Sequence, residues 1–326
     1  MDLFEIHSKI YYIYNMKRIL LIGGNGYIGS RLYKDYSNDY IVTIVDSCWF
    51  DKPLDPAVTL ESDINELSPD FIAMFDVVIL LAAHSSVKMC EGPLMGAYDN
   101  NIRNFVKLAS KLKPHQKFIY ASSSSVYGNA GELVVDESYN GFIPHNHYDI
   151  TKHVIDLYAP KFDTQYYGLR FGTVNGYSPI VRKDVMINSM VYNALTDGEI
   201  KLYIKDILRP ILGISDLSRA IKTIIDTEED HRGIYNLASF NSTSGDIAYG
   251  VSKITGVGVT EYETDPTNIT NAKLQTKSYN FSIDCAKFEK TFNFEFKETI
   301  ESITEELLSN FNDIIFTSRN QFKDYE

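Results

Sequence analysis

The sequence predicts an α/β protein: a doubly wound parallel sheet of the Rossmann type, with a smaller, discontinuous C-terminal α/β domain that would bind substrate. Three observations carry that expectation. A short apolar run, Ile19 to Ile22, leads directly into closely spaced glycines and then into residues that can continue as a helix. A second run, Ile41 to Val45, has strand character and ends in an acid, Asp46. A third, Asp76 to Ala83, is continuously apolar at strand length, as expected of a strand buried on both faces of a parallel sheet.

Taken in order, Gly24, Gly26 and Gly29 fit G-x-G-x-x-G, and Gly23, Gly26 and Gly29 fit the overlapping form spaced by three. Glycine lets the backbone approach a pyrophosphate, whose charge is met by the amides of a helix N-terminus, here around Tyr27 and Ile28. An ordinary glycine-rich turn is the bland alternative. Asp46 decides between them, because an acid roughly 20 residues beyond such glycines is where a ribose hydroxyl acceptor belongs. Ser47, Cys48 and Trp49 follow it, with no Arg or Lys to hold a 2′-phosphate, so NAD is expected rather than NADP.

Val58 to Ile64 then reads as a short strand, and a helix is expected around 65–74. Gly96 to Leu112 has apolar residues at helical spacing and stops before Pro114; Lys117 to Ala121 is a strand candidate. Tyr148 to Tyr158 reads as a helix with Ile150, Val154, Leu157 and Tyr158 on one apolar stripe, and Gln165 to Phe171 as a strand. Beyond it the alternation weakens: Met186 to Leu195 and Asp216 to Ile225 read as helices, Leu208 to Ile214 and Ile234 to Ala238 as extended. The division that follows is an extension at 1–15, an NAD-binding domain from 16–172 and about 211–240, a substrate domain from about 173–210 and 241–312, and a tail at 313–326. Buried strands alternating with helices call for right-handed crossovers, and ligands in such sheets collect at the carboxyl ends of the strands.

With 326 residues and a formal net charge of −12, the chain is long enough for a substantial core and too acidic for a broad nucleic-acid or anionic-membrane surface. Three widely spaced cysteines, Cys48, Cys90 and Cys285, predict neither a disulfide framework nor a metal site, and the cytoplasm fits best. The apolar run Val77 to Ala83 falls far short of the roughly 18 residues needed to span a bilayer. Residues 1–15 carry Asp2 and Glu5 where a targeting signal would be basic, so they are read as an extension without assigned function.

Four serines, Ser122 to Ser125, lie just after a predicted buried strand, and farther on Tyr148 and Lys152 stand four apart, on one face of a helix. An ammonium beside a phenol favours the phenolate, which suits Tyr148 to proton transfer, while a serine hydroxyl opposite would hold a substrate oxygen. Among 23 tyrosines a Tyr-x-x-x-Lys pair is weak by itself. Its place after the glycine turn, Asp46 and the serine run makes it informative.

GGNGYIG at 23–29, SDI at 62–64, LLAAHSSV at 80–87, YASSSSVYG at 120–128, YDITK at 148–152 and LRFGTVNG at 169–176 occur in the order found in the extended short-chain dehydrogenase/reductase family, in its nucleotide-sugar epimerase and dehydratase branch. The chain resembles that branch from about Met16 to Phe311. The resemblance implies Ser123 as the catalytic hydroxyl, Tyr148 as acid/base and Lys152 as its partner on the nicotinamide ribose. It implies adenine contacts from Asp63 and Ile64, small cofactor-lining residues at Ala82 and Ala83, and a cofactor-side asparagine at Asn101. An N-cap role is the alternative for Asp63. On the substrate side it implies Ser123, Ser124, Thr173, Arg182 and Asn188, with Arg209 presented to the diphosphate of a sugar nucleotide; arginine's planar fork suits phosphate. Asp216 is expected to be structural. Dehydratase members carry acids directly after the catalytic hydroxyl, where Ser124 and Ser125 stand here, so dehydration is disfavoured. The implied activity is an NAD-dependent nucleotide-sugar epimerase acting at C4, with a dehydrogenase or ketoreductase on the same machinery, or a non-catalytic NAD sensor, as alternatives. A homodimer through the helices at about 97–112 and 148–160 is implied as well.

Overall fold

Alternation within the apolar runs builds the sheet. The computed structural model describes residues 16–49, 54–92, 94–141, 144–262 and 279–317. The expected extension at 1–15 lies outside them. Seven strands, β1 (Arg18–Ile22), β2 (Ile41–Asp46), β3 (Thr59–Glu61), β4 (Val77–Leu80), β5 (Lys117–Ser123), β6 (Gln165–Phe171) and β7 (Gly233–Leu237), form one parallel sheet in the order β7-β6-β5-β4-β1-β2-β3. Successive side chains of a strand face opposite ways. Ile19 and Leu21 of β1 therefore enter one core and Leu20 and Ile22 the other.

Eight helices are needed to place the site: α1 (Tyr27–Tyr36), α2 (Leu94–Tyr98), α3 (Asn104–Ala109), α4 (His147–Tyr158), α5 (Met186–Thr196), α6 (Ile214–Asp226), α7 (Ser244–Thr255) and α8 (Ile300–Ser309). Leu32 of α1 and Leu217 and Ile221 of α6 cover one face, and Phe105 of α3 and Ile155 of α4 the other. α5, α7 and α8 extend the first core through Ile187, Ile247 and Ile303. A three-stranded sheet beside them joins Leu208–Gly213 in parallel to Thr173–Asn175 and antiparallel to Phe240–Thr243. No helix among the described residues is long and apolar enough to cross a membrane.

Several elements differ from expectation for local reasons. The strand read over 58–64 is only Thr59–Glu61, because the Asp63 carboxylate takes the Asn65 N–H at 2.7 Å and starts a 3-10 turn at Ile64. The helix expected around 65–74 shrinks to Pro69–Ile72, restarted by the Ser68 hydroxyl on Phe71 N. The helix read from Gly96 is interrupted by a π-turn, Asp99–Arg103, between α2 and α3. On α4, Ile150, Leu157 and Tyr158 face outward, while Asp149, Thr151, Lys152, Ile155 and Asp156 are buried. Polar residues turn inward there because they have partners in the site. Ile315–Thr317, read as part of a tail, pairs in parallel with Ile180–Arg182.

Candidate active site

A cleft of about 620 Å³ opens at the carboxyl ends of β1, β2, β4 and β5. Its floor begins at the glycine turn. Gly23 has φ +88°, and a Cβ there would lie 2.6 Å from Ala82 N; a Cβ on Gly29 would lie 2.4 Å from Gly23 O. Two of the three fingerprint glycines are thus demanded by strand, turn and helix packing, before any ligand is considered. Gly23, Gly26, Tyr27, Ile28 and Gly29 line the cleft, whereas a Cβ on Gly24 would run into Ile44 at 2.7 Å. The register spaced by three is the one facing the cavity. α1 starts there without a side-chain cap or an acid in its first turn, leaving its amide end open to an anion.

Asp46 closes the end of β2. Its oxygens accept from Asn25 N at 2.9 Å and Cys48 N at 2.8 Å, and these bonds fix the carboxylate at the cleft wall. Asp63 both caps its turn and lines the cleft next to Ile64, and Ala82 and Ala83 line it from the end of β4. The cationic side chains of the described wall are Lys152, Arg182 and Arg209, none of them in the segment after Asp46.

At the other end, Ser123 closes β5 and Ser124 opens the 3-10 turn that follows, both lining the cleft, and α4 brings Tyr148 and Lys152 opposite. Ser123 Oγ is 2.8 Å from Ser125 Oγ and accepts the Ser125 N–H at 3.2 Å. Lys152 Nζ donates to Ala121 O at 2.6 Å and lies 5.8 Å from the Tyr148 ring centre. Burial pushes the Tyr148 phenol up to about 12, opposed by the Ser123 hydroxyl and the Arg182 charge, and it pulls Lys152 down to about 8. Under this pair lies a buried network: Arg170 of β6 donates to Asp156 at 2.8 Å, and Asp156 accepts from Tyr120 at 3.1 Å and Ser122 at 3.0 Å. It ties the inner face of α4 to β5 and β6.

Thr173, Arg182 and Arg209 form part of the remaining wall. Arg182 is held by both oxygens of Asp184, at 3.1 and 2.9 Å, and donates across to Ser85 O at 3.3 Å. Arg209 differs. Its hydrogen bond is to Leu208 O at 3.1 Å, and burial alone lowers it to about 10. No carboxylate pairs with it among the described residues.

Two expected site residues stand behind the wall. Asn101, 3 % exposed, accepts from His84 N at 2.8 Å and donates to Thr151 Oγ1 at 3.0 Å, joining the loop after β4 to α4. Asn188, 1 % exposed, accepts from Gly176 N at 2.9 Å and donates to Tyr27 Oη at 3.1 Å and Arg182 O at 3.0 Å. Both hold cleft-forming segments rather than face the cavity. Asp216 is fully buried and accepts from Lys297 N, Glu298 N and Ser239 Oγ, a structural anchor at the start of α6.

Asn25, Cys48, Trp49, Ser125, Tyr279 and Phe281 also line the cleft, and the sequence reading did not select them as site residues. Asn25 lies inside the glycine motif and could have been noticed. Tyr279 and Phe281 sit in the polar last third, where no local pattern marks them.

A Rossmann sheet whose carboxyl edge gathers an uncapped helix N-terminus, an acid ending β2, a serine ending β5 and a tyrosine and lysine one turn apart defines the short-chain dehydrogenase/reductase class. Within that class, the profile of the NAD dependent epimerase/dehydratase family matches residues 19–238, and the chain belongs to that family. Protein CapI of Staphylococcus aureus is 29% identical over 238 residues, 64% of this chain and 69% of its own. UDP-glucose 4-epimerase of Lactobacillus helveticus is 25% identical over 279 residues, 74% of this chain and 83% of its own. A solved UDP-glucuronic acid 4-epimerase from Bacillus cereus, in complex with UDP-glucuronic acid and NAD, shares the fold with a TM-score of 0.75 at 22% identity, covering 90% of this chain and 99% of that one.

Proposed function

We propose that this protein is an NAD-dependent epimerase of nucleotide-diphosphate sugars, acting at C4 through a transient keto-sugar. The observation that carries the reading is the meeting of Ser123, Tyr148 and Lys152 in one cleft with the glycine turn and Asp46, with Ser124 and Ser125 in the positions that dehydratases fill with acids. The names of the relatives, 4-epimerases of UDP-sugars, agree with it. The residues fit NAD: the glycine turn leaves backbone at the cavity, α1 offers open amides, and Asp46, held at the cleft wall, is the acceptor we assign to a ribose hydroxyl. When bound, NAD supplies the hydride acceptor and donor.

Tyr148 takes the proton of the sugar hydroxyl and later returns it. Ser123 holds the same oxygen, and Lys152 supplies the positive charge that favours the Tyr148 phenolate. Asp63 and Ile64 border the adenine, and Ala82 and Ala83 line the cofactor, with Asn101 positioning the loop that follows them. Ser124, Thr173 and Arg182 border the sugar, and Asn188 holds Arg182 in place. A half-buried guanidinium without a carboxylate is costly unless an anion meets it, and Arg209 is the group we assign to the diphosphate. The segments at about 173–210 and 241–312 would form the sugar-nucleotide domain. Exposed Met95 and Tyr98 on α2 and Ile150, Leu157 and Tyr158 on α4 support a homodimer through these helices. Three free cysteines agree with a cytoplasmic protein.

The test is a proton NMR time course with catalytic NAD and a panel of UDP-, GDP-, dTDP- and CDP-sugars. A second sugar nucleotide of unchanged mass, without accumulating NADH, is expected. NADH formed from the added NAD together with an equal amount of oxidised sugar would assign a dehydrogenase instead.

A further inference from the structure

Asp149, next to Tyr148, has no part in the chemistry above, yet it is a carboxyl at 0 % exposure in the first turn of α4. Its Oδ2 accepts from Asn146 Nδ2 at 2.6 Å and from the hydroxyl of Tyr279. Its Oδ1 is buried and accepts no hydrogen bond, although the Ser125 hydroxyl is near enough to favour the charged carboxylate. Ser125 in turn touches Ser123 at 2.8 Å. His145, Tyr148, Tyr279 and Cys90 are the titratable groups that face or feel this carboxyl.

Tyr279 belongs to a short strap, residues 279–283, that forms part of the cleft wall. Asn280 accepts from Leu208 N at 2.8 Å and donates to Asn129 Oδ1 at 3.1 Å, and Ser282–Ile283 pair with Val134–Val135. Tyr279 and Phe281 line the cavity, as do Arg209 and Pro210 of the neighbouring strand. One phenol therefore belongs to the expected sugar-nucleotide wall and also bonds the carboxylate beside the acid/base.

We propose that Asp149 is a positioning residue that latches the Tyr279 strap to the Tyr148 turn, so that the state of the sugar-nucleotide wall is read at the proton-transfer group. This rests on the function proposed above. A buried negative charge beside Tyr148 opposes the phenolate. A hydrogen bond from Tyr279 disperses that charge, and the seated strap thereby favours Tyr148 as a base. Loss of the Tyr279 hydroxyl leaves the charge bare above the carboxyl's own titration. Loss of the charge at position 149 removes the opposition and weakens the latch to a neutral hydrogen bond.

The test is an ultraviolet phenolate titration of the full chain loaded with NAD, taken as the difference from a Tyr148→Phe background so that Tyr148 alone is read. Asp149→Asn is expected to move its midpoint down by about one pH unit. Tyr279→Phe, which keeps the ring and spares the fold if the Asn variant does not, is expected to move it up by less. The double variant should follow Asp149→Asn. UDP affinity, by calorimetry, should weaken in both single variants. Unmoved midpoints, or a downward move in Tyr279→Phe, would overturn the latch. The titration uses no sugar, so its failure is separate from any failure of the wild-type protein to epimerise one.

Discussion

Burial inverts the usual order of Lys152 and Tyr148, drawing the amine down to about 8 and pushing the phenol up to about 12. Below about 8 both hold their protons, and between the two values the pair holds one, which is the form that contains charged Lys152 with ionised Tyr148 as a minor tautomer. Activity is therefore expected to rise with pH as a single ionisation, with its midpoint at or below about 8, because the positive ring of bound NAD lowers both groups. Lys152→Met should abolish that limb in a pH profile of kcat/KM. Tyr148→Phe should lower kcat by about 10²–10⁴-fold while leaving NAD binding intact, which quenching of the single tryptophan, Trp49 at the cleft wall, can follow. Arg209→Ala should weaken sugar-nucleotide binding by about 2 kcal/mol or more, read by calorimetry with UDP, and leave NAD affinity unchanged. Equal losses for NAD and UDP would contradict the assignment of Arg209 to the diphosphate.

At the level of elements, the buried Arg170–Asp156 pair does what no apolar stripe could. It fixes α4 to β5 and β6 at 9 % and 2 % side-chain exposure, and it explains why the inner face of that helix is polar. Removing one partner strands the other, so Asp156→Ala is expected to cost about 3–5 kcal/mol in urea unfolding. The apolar runs of β1, β2, β4, β5 and β6 were legible because burial on both faces leaves little choice of residue. α4 was legible as a helix but its inward face was not, since periodicity assigns apolar residues to the core and cannot see Asp156 meeting Arg170. The same holds for the site: Ser123, Tyr148 and Lys152 stand in local motifs, whereas Tyr279 reaches α4 only through tertiary contacts. Asn101 and Asn188 had the right neighbourhood, but their amides are spent on backbone and side-chain partners behind the wall. The π-turn at Asp99–Arg103 has no marker in the residues that form it.

For the whole molecule, the outward apolar residues of α2 and α4 sit on the helix pair adjoining the catalytic face. Leu157, 60 % exposed, is the largest departure from a solvated helix surface on α4. Sedimentation of the wild-type protein is expected to give a dimer, and Leu157→Asp to shift it toward monomer with the far-ultraviolet spectrum unchanged. A wild-type monomer at every accessible concentration would contradict that arrangement. With a net charge of −12, any anion site has to be built locally, and an open helix end, Lys152, Arg182 and Arg209 are the groups of the described cleft suited to one.

If one cleft oxidises and then reduces the same sugar carbon, as proposed, a UDP-sugar deuterated at C4 reveals it. NMR is expected to show the C4 epimer with its deuterium retained at C4 and NAD unchanged in amount. Deuterium accumulating in NADH with a keto-sugar released, or its exchange for solvent hydrogen in the product, would contradict it.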